Sequence, residues 1–116
     1  MQILVNTDNN IEGTDTVVQE VESSVETVLA RFDSRLTRVK VHLSDQSAGR
    51  ETTDDIRCVL EARPTGGNPL AATDNADTVN AAVNGALHKL VSVLETTFGR
   101  LDEHKGASAM GDEPMP

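Results

Sequence analysis

The sequence predicts an α+β fold in which a four-stranded sheet carries two helices on one face, in the order β-α-β-β-β-α. Two observations predict it. Residues 37–44 and 55–63 alternate between apolar and polar side chains, and two long segments repeat apolar residues every three or four positions. Alternation is typical of strands with one covered face, and a single apolar stripe is typical of a helix with one face to bury. Both helices are therefore expected on the same side of the sheet, with the other side open to water.

The first half of the chain predicts a strand, a helix and a second strand. Residues 1–6 are rich in apolar side chains and end at a polar, turn-forming cluster. A helix is expected from Thr14, which suits the N-cap, to about Phe32, because Val and Leu recur at helical spacing between acidic residues. The strand at 37–44 follows. A strand-helix-strand start predicts that the first two strands are parallel.

The second half predicts two hairpins and a long helix. Residues 45–54 form a polar connection, and 55–63 form the next strand. Residues 64–68 contain Pro, two Gly and Asn and predict a turn. A short edge strand, 69–73, begins at a proline that an edge tolerates. The last helix is expected to open at 74–77 and to run for more than twenty residues along one apolar stripe.

The length predicts one domain, at residues 1–105, followed by a disordered tail at 106–116 of small and polar residues with two prolines. With no Trp or Tyr in the chain, the core must consist mainly of aliphatic side chains. The expected core residues include Val5, Val41, Cys58, Val83, Leu87 and Leu94.

Composition excludes several classes of protein. No apolar run approaches the ~20 residues that cross a bilayer, and the first residues lack the basic start of a signal peptide. The one cysteine, Cys58, cannot form an internal disulfide framework or a structural zinc site. We therefore expect a cytoplasmic protein without a membrane segment.

The sequence also lacks a catalytic constellation. It contains no glycine-rich phosphate loop after a strand and no nucleophile elbow. Cys58 alternates with apolar neighbours, which predicts an inert core thiol, and His42, His88 and His104 show no metal-ligand spacing. We expect neither an enzyme nor a cofactor.

The net charge of −9 is unevenly distributed. The first 30 residues hold six acidic residues and no Lys or Arg, whereas residues 31–63 hold seven basic residues. The basic side chains of the two alternating strands fall on the face predicted to be open, namely Arg38, Lys40, Arg57 and Arg63, with His42 among them. Such a face is either an ordinary solvated surface or a local anion-binding strip within an acidic protein.

Three segments resemble the bacterial ribosome hibernation-promoting factors, also called ribosome-associated inhibitor or sigma-54 modulation proteins. They are the opening MQILVN, the segment LARFDSRLTRV at 29–39, and DTVNAAV at 77–83, followed by HKL at 88–90. The resemblance covers about residues 1–105. It implies the β-α-β-β-β-α layout, no cofactor, and a protein that binds the small ribosomal subunit near the tRNA and mRNA path. There it would inhibit translation in stationary phase or stress, as a short form without the long form's dimerisation domain.

The expected RNA contacts follow from this resemblance and from the charge pattern. Lys89 matches a position of the family, and the others rest on charge alone; the set is Arg31, Arg35, Arg38, Lys40, Lys89 and Arg100, with Lys105 as a further candidate. The partner would be ribosomal RNA, and the protein a monomer or weak dimer. After Lys89 the last helix has fewer basic residues than the family usually carries. The alternative is a protein-interaction module that keeps the fold, has lost RNA binding and attracts a basic protein partner.

Overall fold

A computed structural model gives the structure of residues 1–8, 11, 14–45 and 55–110, with residue 14 and the last ten as backbone only. The described chain comprises strand β1 (Gln2–Thr7), helix α1 (Thr14–Val28), a 3₁₀ helix (Ala30–Arg35), strands β2 (Leu36–Asp45), β3 (Ile56–Pro64) and β4 (Leu70–Ala76), and helix α2 (Val79–Met110). The predicted α+β class and element order are confirmed.

The four strands form one mixed sheet in the order β1-β2-β3-β4. β1 pairs with β2 in parallel, and the two following pairs are antiparallel, so the predicted parallel start and the two hairpins are confirmed. At the β3–β4 turn the amide of Gly67 donates to the carbonyl of Pro64 (3.2 Å). Gly66 has a φ of 72°, a conformation that favours glycine.

One hydrophobic core lies between the sheet and the two helices. Val41 and Leu60 face each other on the central strands and are fully buried. They belong to the same cluster as Val25 of α1 and Leu90 of α2, so both helices cover one face of the sheet. Five of the six predicted core residues are buried, and Val5 is half-buried because it lies on the edge strand β1.

An irregularity in β2 extends the core beyond the predicted strand. The pairing of β2 with β3 shifts between Leu36 and Arg38, and the Thr37 hydroxyl donates to the carbonyl of Arg63 (3.1 Å). Strict alternation would place Leu36 and Val39 on opposite faces. The extra residue in the strand allows both to be buried while Arg38 lies on the opposite face.

Two predicted helix boundaries were wrong. α1 ends at Val28, and the 3₁₀ helix that follows, not a continuing α-helix, buries Phe32. Residues 74–76 lie in β4, which pairs with β3 as far as Ala76 opposite Ile56. α2 therefore begins only at Val79, where the Thr78 hydroxyl accepts a hydrogen bond from the amide of Ala81 (3.1 Å).

Other predictions remain open. Residues 46–54 of the predicted polar connection and 111–116 of the predicted tail lie outside the described residues. α2 is described to Met110, and the domain boundary after residue 105 stays a prediction. Of the helices described, none is long and apolar enough to cross a membrane.

Candidate nucleic-acid interface

The face of the sheet opposite the helices carries a group of basic side chains. Because side chains of a strand alternate, every second residue of β2 and β3 is directed away from the core. Four of these are Arg or Lys, and we call them the cationic strip: Arg38, Lys40, Arg57 and Arg63. Arg57 and Arg63 are exposed, and Arg38 and Lys40 are half-buried.

The strand register brings two arginines of the cationic strip together. Arg38 lies directly opposite Arg63, a position in which Cα atoms are about 4.5–5.5 Å apart. Lys40 lies opposite Glu61, and Arg57 lies opposite Ser44. Like charges in opposing positions destabilise a sheet. Stability of the fold therefore does not account for the pair Arg38–Arg63.

The cationic strip is not neutralised by ion pairs within the described part of the chain. No described carboxylate lies within 4.0 Å of any of its four cations. Glu61 is the acidic side chain of the same two-strand surface in the described register. Successive side chains on one face of a strand are about 7 Å apart, so the strip presents several positive charges over a short distance. Its charge is available to an external anion.

Arg31, a predicted RNA contact, is held against α2. Its guanidinium forms an ion pair with Glu95 (Nη2 to Oε2, 2.5 Å) and lies over the ring of Phe32, 4.7 Å from the centroid. Both Arg31 and Glu95 are more than half exposed, so the pair adds little to the free energy of unfolding. It does lower the net positive charge that Arg31 offers to a phosphate.

Lys89 is also engaged within the protein. Its ammonium group donates to the Asp74 carboxylate (3.0 Å) and to the carbonyl of Thr73 (3.1 Å). The hydrogen bond from Lys89 holds the pKa of the Asp74 carboxyl below its usual range, with partial desolvation opposing and the charge of Lys89 assisting. Asp74 stands opposite the buried Cys58 on the helix-covered face of the sheet. Lys89 is thus remote from the cationic strip.

Arg35 and Arg100 lie outside the strip as well. The guanidinium of Arg35 is stacked over the ring of Phe98, 4.1 Å from its centroid. It borders a cleft of about 370 Å³ between the β3–β4 turn and α2. Arg100 is exposed on α2. Of the six predicted contacts, Arg38 and Lys40 share the open face of the sheet, whereas Arg31 and Arg35 lie at the ring pair Phe32–Phe98.

Sequence reasoning placed Arg57 and Arg63 on the open face but did not include them among the RNA contacts. The signal that would have included them is the strand register, which runs without a shift from the pair Asp45–Ile56 to the pair Arg38–Arg63. Nothing in the described residues tests the RNA-binding role of the six, and that role stays a prediction. Within the same residues, no group of three or more His, Cys, Asp or Glu is placed to hold a metal ion.

Comparison with known proteins gives a family match and several structural relatives, among them the two that follow. The family model described as "Sigma 54 modulation protein / S30EA ribosomal protein" matches residues 4–102. The N-terminal domain of Protein Y from Thermus thermophilus is similar at 25% identity and a TM-score of 0.60, over 84% of this chain and 99% of that one. A ribosomal subunit interface protein from Coxiella burnetii has 15% identity and a TM-score of 0.58, over 85% and 99%. No significant relative is found among curated protein sequences.

Proposed function

Because this chain belongs to the sigma 54 modulation protein / S30EA ribosomal protein family, we propose that it binds the small ribosomal subunit through ribosomal RNA and keeps the ribosome from translating. The setting we propose is the cytoplasm of bacterial cells in stationary phase or under stress. The protein acts by binding to ribosomal RNA and blocking the site that it covers, without a catalytic step. The cationic strip is its main RNA contact.

The observation that carries this proposal is the facing pair Arg38 and Arg63. Two guanidinium groups on opposing strands, without a described carboxylate to neutralise them, suit neighbouring phosphate groups of an RNA backbone. Arginine is well suited to such contacts because its planar fork donates two parallel hydrogen bonds to a phosphate. These contacts would read RNA shape and backbone more than sequence.

The net charge of −9 is compatible with RNA binding because of where the acidic residues lie. α1 carries Asp15, Glu20, Glu22 and Glu26, all exposed, and it covers the face of the sheet opposite the cationic strip. The sheet and the helix together separate the two charge layers by more than about 10 Å, which exceeds the Debye length of ~8 Å at physiological salt. Repulsion between α1 and bound RNA is therefore largely screened.

The alternative function is a protein-interaction module without RNA binding. It is favoured by the two ion pairs Arg31–Glu95 and Lys89–Asp74, which occupy two of the six predicted RNA contacts. In this alternative the acidic surface of α1 is the binding surface, and its partner is a basic protein.

Co-sedimentation with purified small ribosomal subunits tests the proposal. The first variant combines Arg38→Gln, Lys40→Gln and Arg63→Gln, which removes three positive charges from the open face. The matched control combines Thr16→Glu, Thr27→Glu and Ser92→Glu, three exposed helix positions, and changes the net charge by the same amount. We expect the first to lose binding by a hundredfold or more, at ~1.5 kcal/mol for each charge-assisted hydrogen bond removed, and the control to retain it.

Equal losses in the two variants would mean that net charge alone governs association. Absence of wild-type co-sedimentation even at low salt would refute the proposal and leave the alternative. Circular dichroism melting curves of both variants establish that each is folded.

A further inference from the structure

A shallow groove runs between α1 and α2 on the side of the molecule away from the cationic strip. It consists of two adjoining hollows of about 490 and 350 Å³ that share Asn84. From Glu20 to Val28 it follows α1 for about 12 Å, at 1.5 Å per residue. A groove of that length fits about four residues of extended chain.

The second hollow is mainly apolar: three aliphatic side chains line it together with Asn84 and His88. Val28 forms one wall with 41% of its surface exposed, the only large hydrophobic residue so exposed in the described chain. Leu87 forms the buried floor, and Val91 the opposite wall. α1 ends at Val28, and the hollow of about 350 Å³ beside it has room for one further aliphatic side chain.

Apart from Glu20, the first hollow is lined by uncharged hydrogen-bonding side chains. They are the amides and hydroxyls of Gln19, Ser23, Ser24, Asn80 and Asn84. In the described structure no hydrogen bond joins any of them to a side chain of the other helix. An extended peptide has backbone donors and acceptors that need such partners once water is displaced.

The negative charge of α1 favours a positively charged ligand in the groove. Glu20 lines it, Glu22 and Glu26 lie on the same helix, and α1 carries no Lys or Arg. Beyond Val28 the ion pair Arg31–Glu95 joins the 3₁₀ helix to α2. We propose that this groove binds a basic segment of a partner protein, with an aliphatic side chain of the segment inserted beside Val28.

This proposal does not depend on the proposed function. The groove and the cationic strip lie on opposite sides of the sheet–helix sandwich, so RNA on one and a basic segment on the other do not exclude each other. A protein that also binds RNA would then contact two components of one assembly at once.

Fluorescence anisotropy with a designed peptide tests the groove. The probe is a labelled peptide of about nine residues with Lys and Arg on both sides of a central Leu. A second peptide has Gly in place of Leu, and a third has Glu in place of the basic residues. We expect the first to bind at least about tenfold more tightly than the second, since burying a Leu side chain contributes ~1.5–3 kcal/mol at most, and the third not to bind.

Variants of the protein locate the peptide. Val28→Arg places a positive charge inside the groove, whereas Thr27→Arg places the same charge on the neighbouring exposed residue that does not line it. We expect Val28→Arg to weaken binding at least about tenfold and Thr27→Arg less than about threefold, because the displaced charge is screened by solvent. Glu20→Lys and Glu22→Lys form a second matched pair with the same expected order.

Three results would each overturn the proposal. They are no saturable binding of the Leu peptide at low salt, equal affinity for the Leu and Gly peptides, and equal effects of Val28→Arg and Thr27→Arg. The second and third results would show that the peptide is attracted only by the net charge of the protein and does not bind in the groove. None of these results bears on ribosome binding, which is measured separately.

Discussion

The carboxylate of Asp74 occupies the space that a side chain at Gly85 would need. A Cβ built on Gly85 would collide with Oδ2 and Cγ of Asp74, and Cβ of Asp74 would be 3.2 Å away. One helical turn later, the ammonium group of Lys89 forms an ion pair with the same carboxylate (Nζ to Oδ1, 3.0 Å). The glycine inside α2 therefore lets the helix approach β4 while Asp74 stays on the helix-covered face of the sheet.

We expect Gly85→Ala to destabilise the protein despite the better helix propensity of alanine. Alanine gains about 1 kcal/mol over glycine in a helix interior. The added methyl group forces Asp74 to rotate and the helix to shift, which costs typically 1–3 kcal/mol. The expected net loss in the free energy of unfolding is about 1 kcal/mol, measured by urea denaturation.

The double variant isolates the cause. In an Asp74→Ala background most of the colliding atoms are absent, so Gly85→Ala should cost less there or become stabilising. A coupling energy of about 1 kcal/mol between the two positions is expected. Independent effects of the two substitutions would show that the close approach does not limit stability. Gly99, where an added methyl group would meet no atom within 4 Å, serves as a control, and Gly99→Ala should be neutral or stabilising.

Titration of Cys58 should make the free energy of unfolding depend on pH in the alkaline range. Burial raises the pKa of its thiol to about 12 from an ordinary value of 9.0, with the charge of Asp74 adding to the rise. The unfolded thiol therefore loses its proton first as the pH increases, so the unfolded state binds fewer protons than the native state. From about pH 9 towards pH 12 the free energy of unfolding should fall by up to about 1.4 kcal/mol per pH unit.

The control for this pH dependence is Cys58→Ala. It removes the titrating group, and its stability should be lower at pH 8 but should decline less steeply above pH 9. Parallel declines in the two proteins would exclude Cys58 as the source. Reaction with a thiol reagent should likewise be slow in the native protein and fast in urea, since the residue is fully buried.

Phe98 joins the 3₁₀ helix to α2. Its ring lies 5.8 Å from that of Phe32 and carries the guanidinium of Arg35 on its face. Phe98→Ala is expected to cost about 3–5 kcal/mol in the free energy of unfolding. Arg35→Gln should cost about 0.5–1 kcal/mol, the usual contribution of a cation over a ring. If Arg35→Gln lowered the free energy of unfolding as much as Phe98→Ala does, a mainly apolar role for Phe98 would be contradicted.

Much of the fold could be predicted because its strands and helices each bury one face. Alternation placed Val41 and Cys58 in the core. What alternation cannot show is a residue inserted into a strand, and the bulge at Thr37 was therefore missed. The start of α2 was misplaced because Asp74 and Asn75 favour turns, whereas pairing with β3 holds them in β4.

The candidate site was harder to predict for a different reason. The charge pattern counts cations but does not show which of them already have partners within the protein. Lys89 and Arg31 lie 15 and 64 residues from the carboxylates that bind them. Only the packed structure shows that they differ from Arg38 and Arg63, for which the described residues offer no carboxylate.

Salt dependence distinguishes these two kinds of cation. If the four cations of the cationic strip each neutralise one phosphate, the logarithm of the affinity for small subunits should fall with log salt at a slope of about −3 to −4. Arg63→Gln should reduce the magnitude of that slope by about 1. Lys89→Gln should leave the slope unchanged, because Lys89 is already paired with Asp74 and releases no counterion on binding. Equal reductions in the two variants would show that Lys89 leaves Asp74 to bind RNA, and an unchanged slope in Arg63→Gln would remove the cationic strip from the interface.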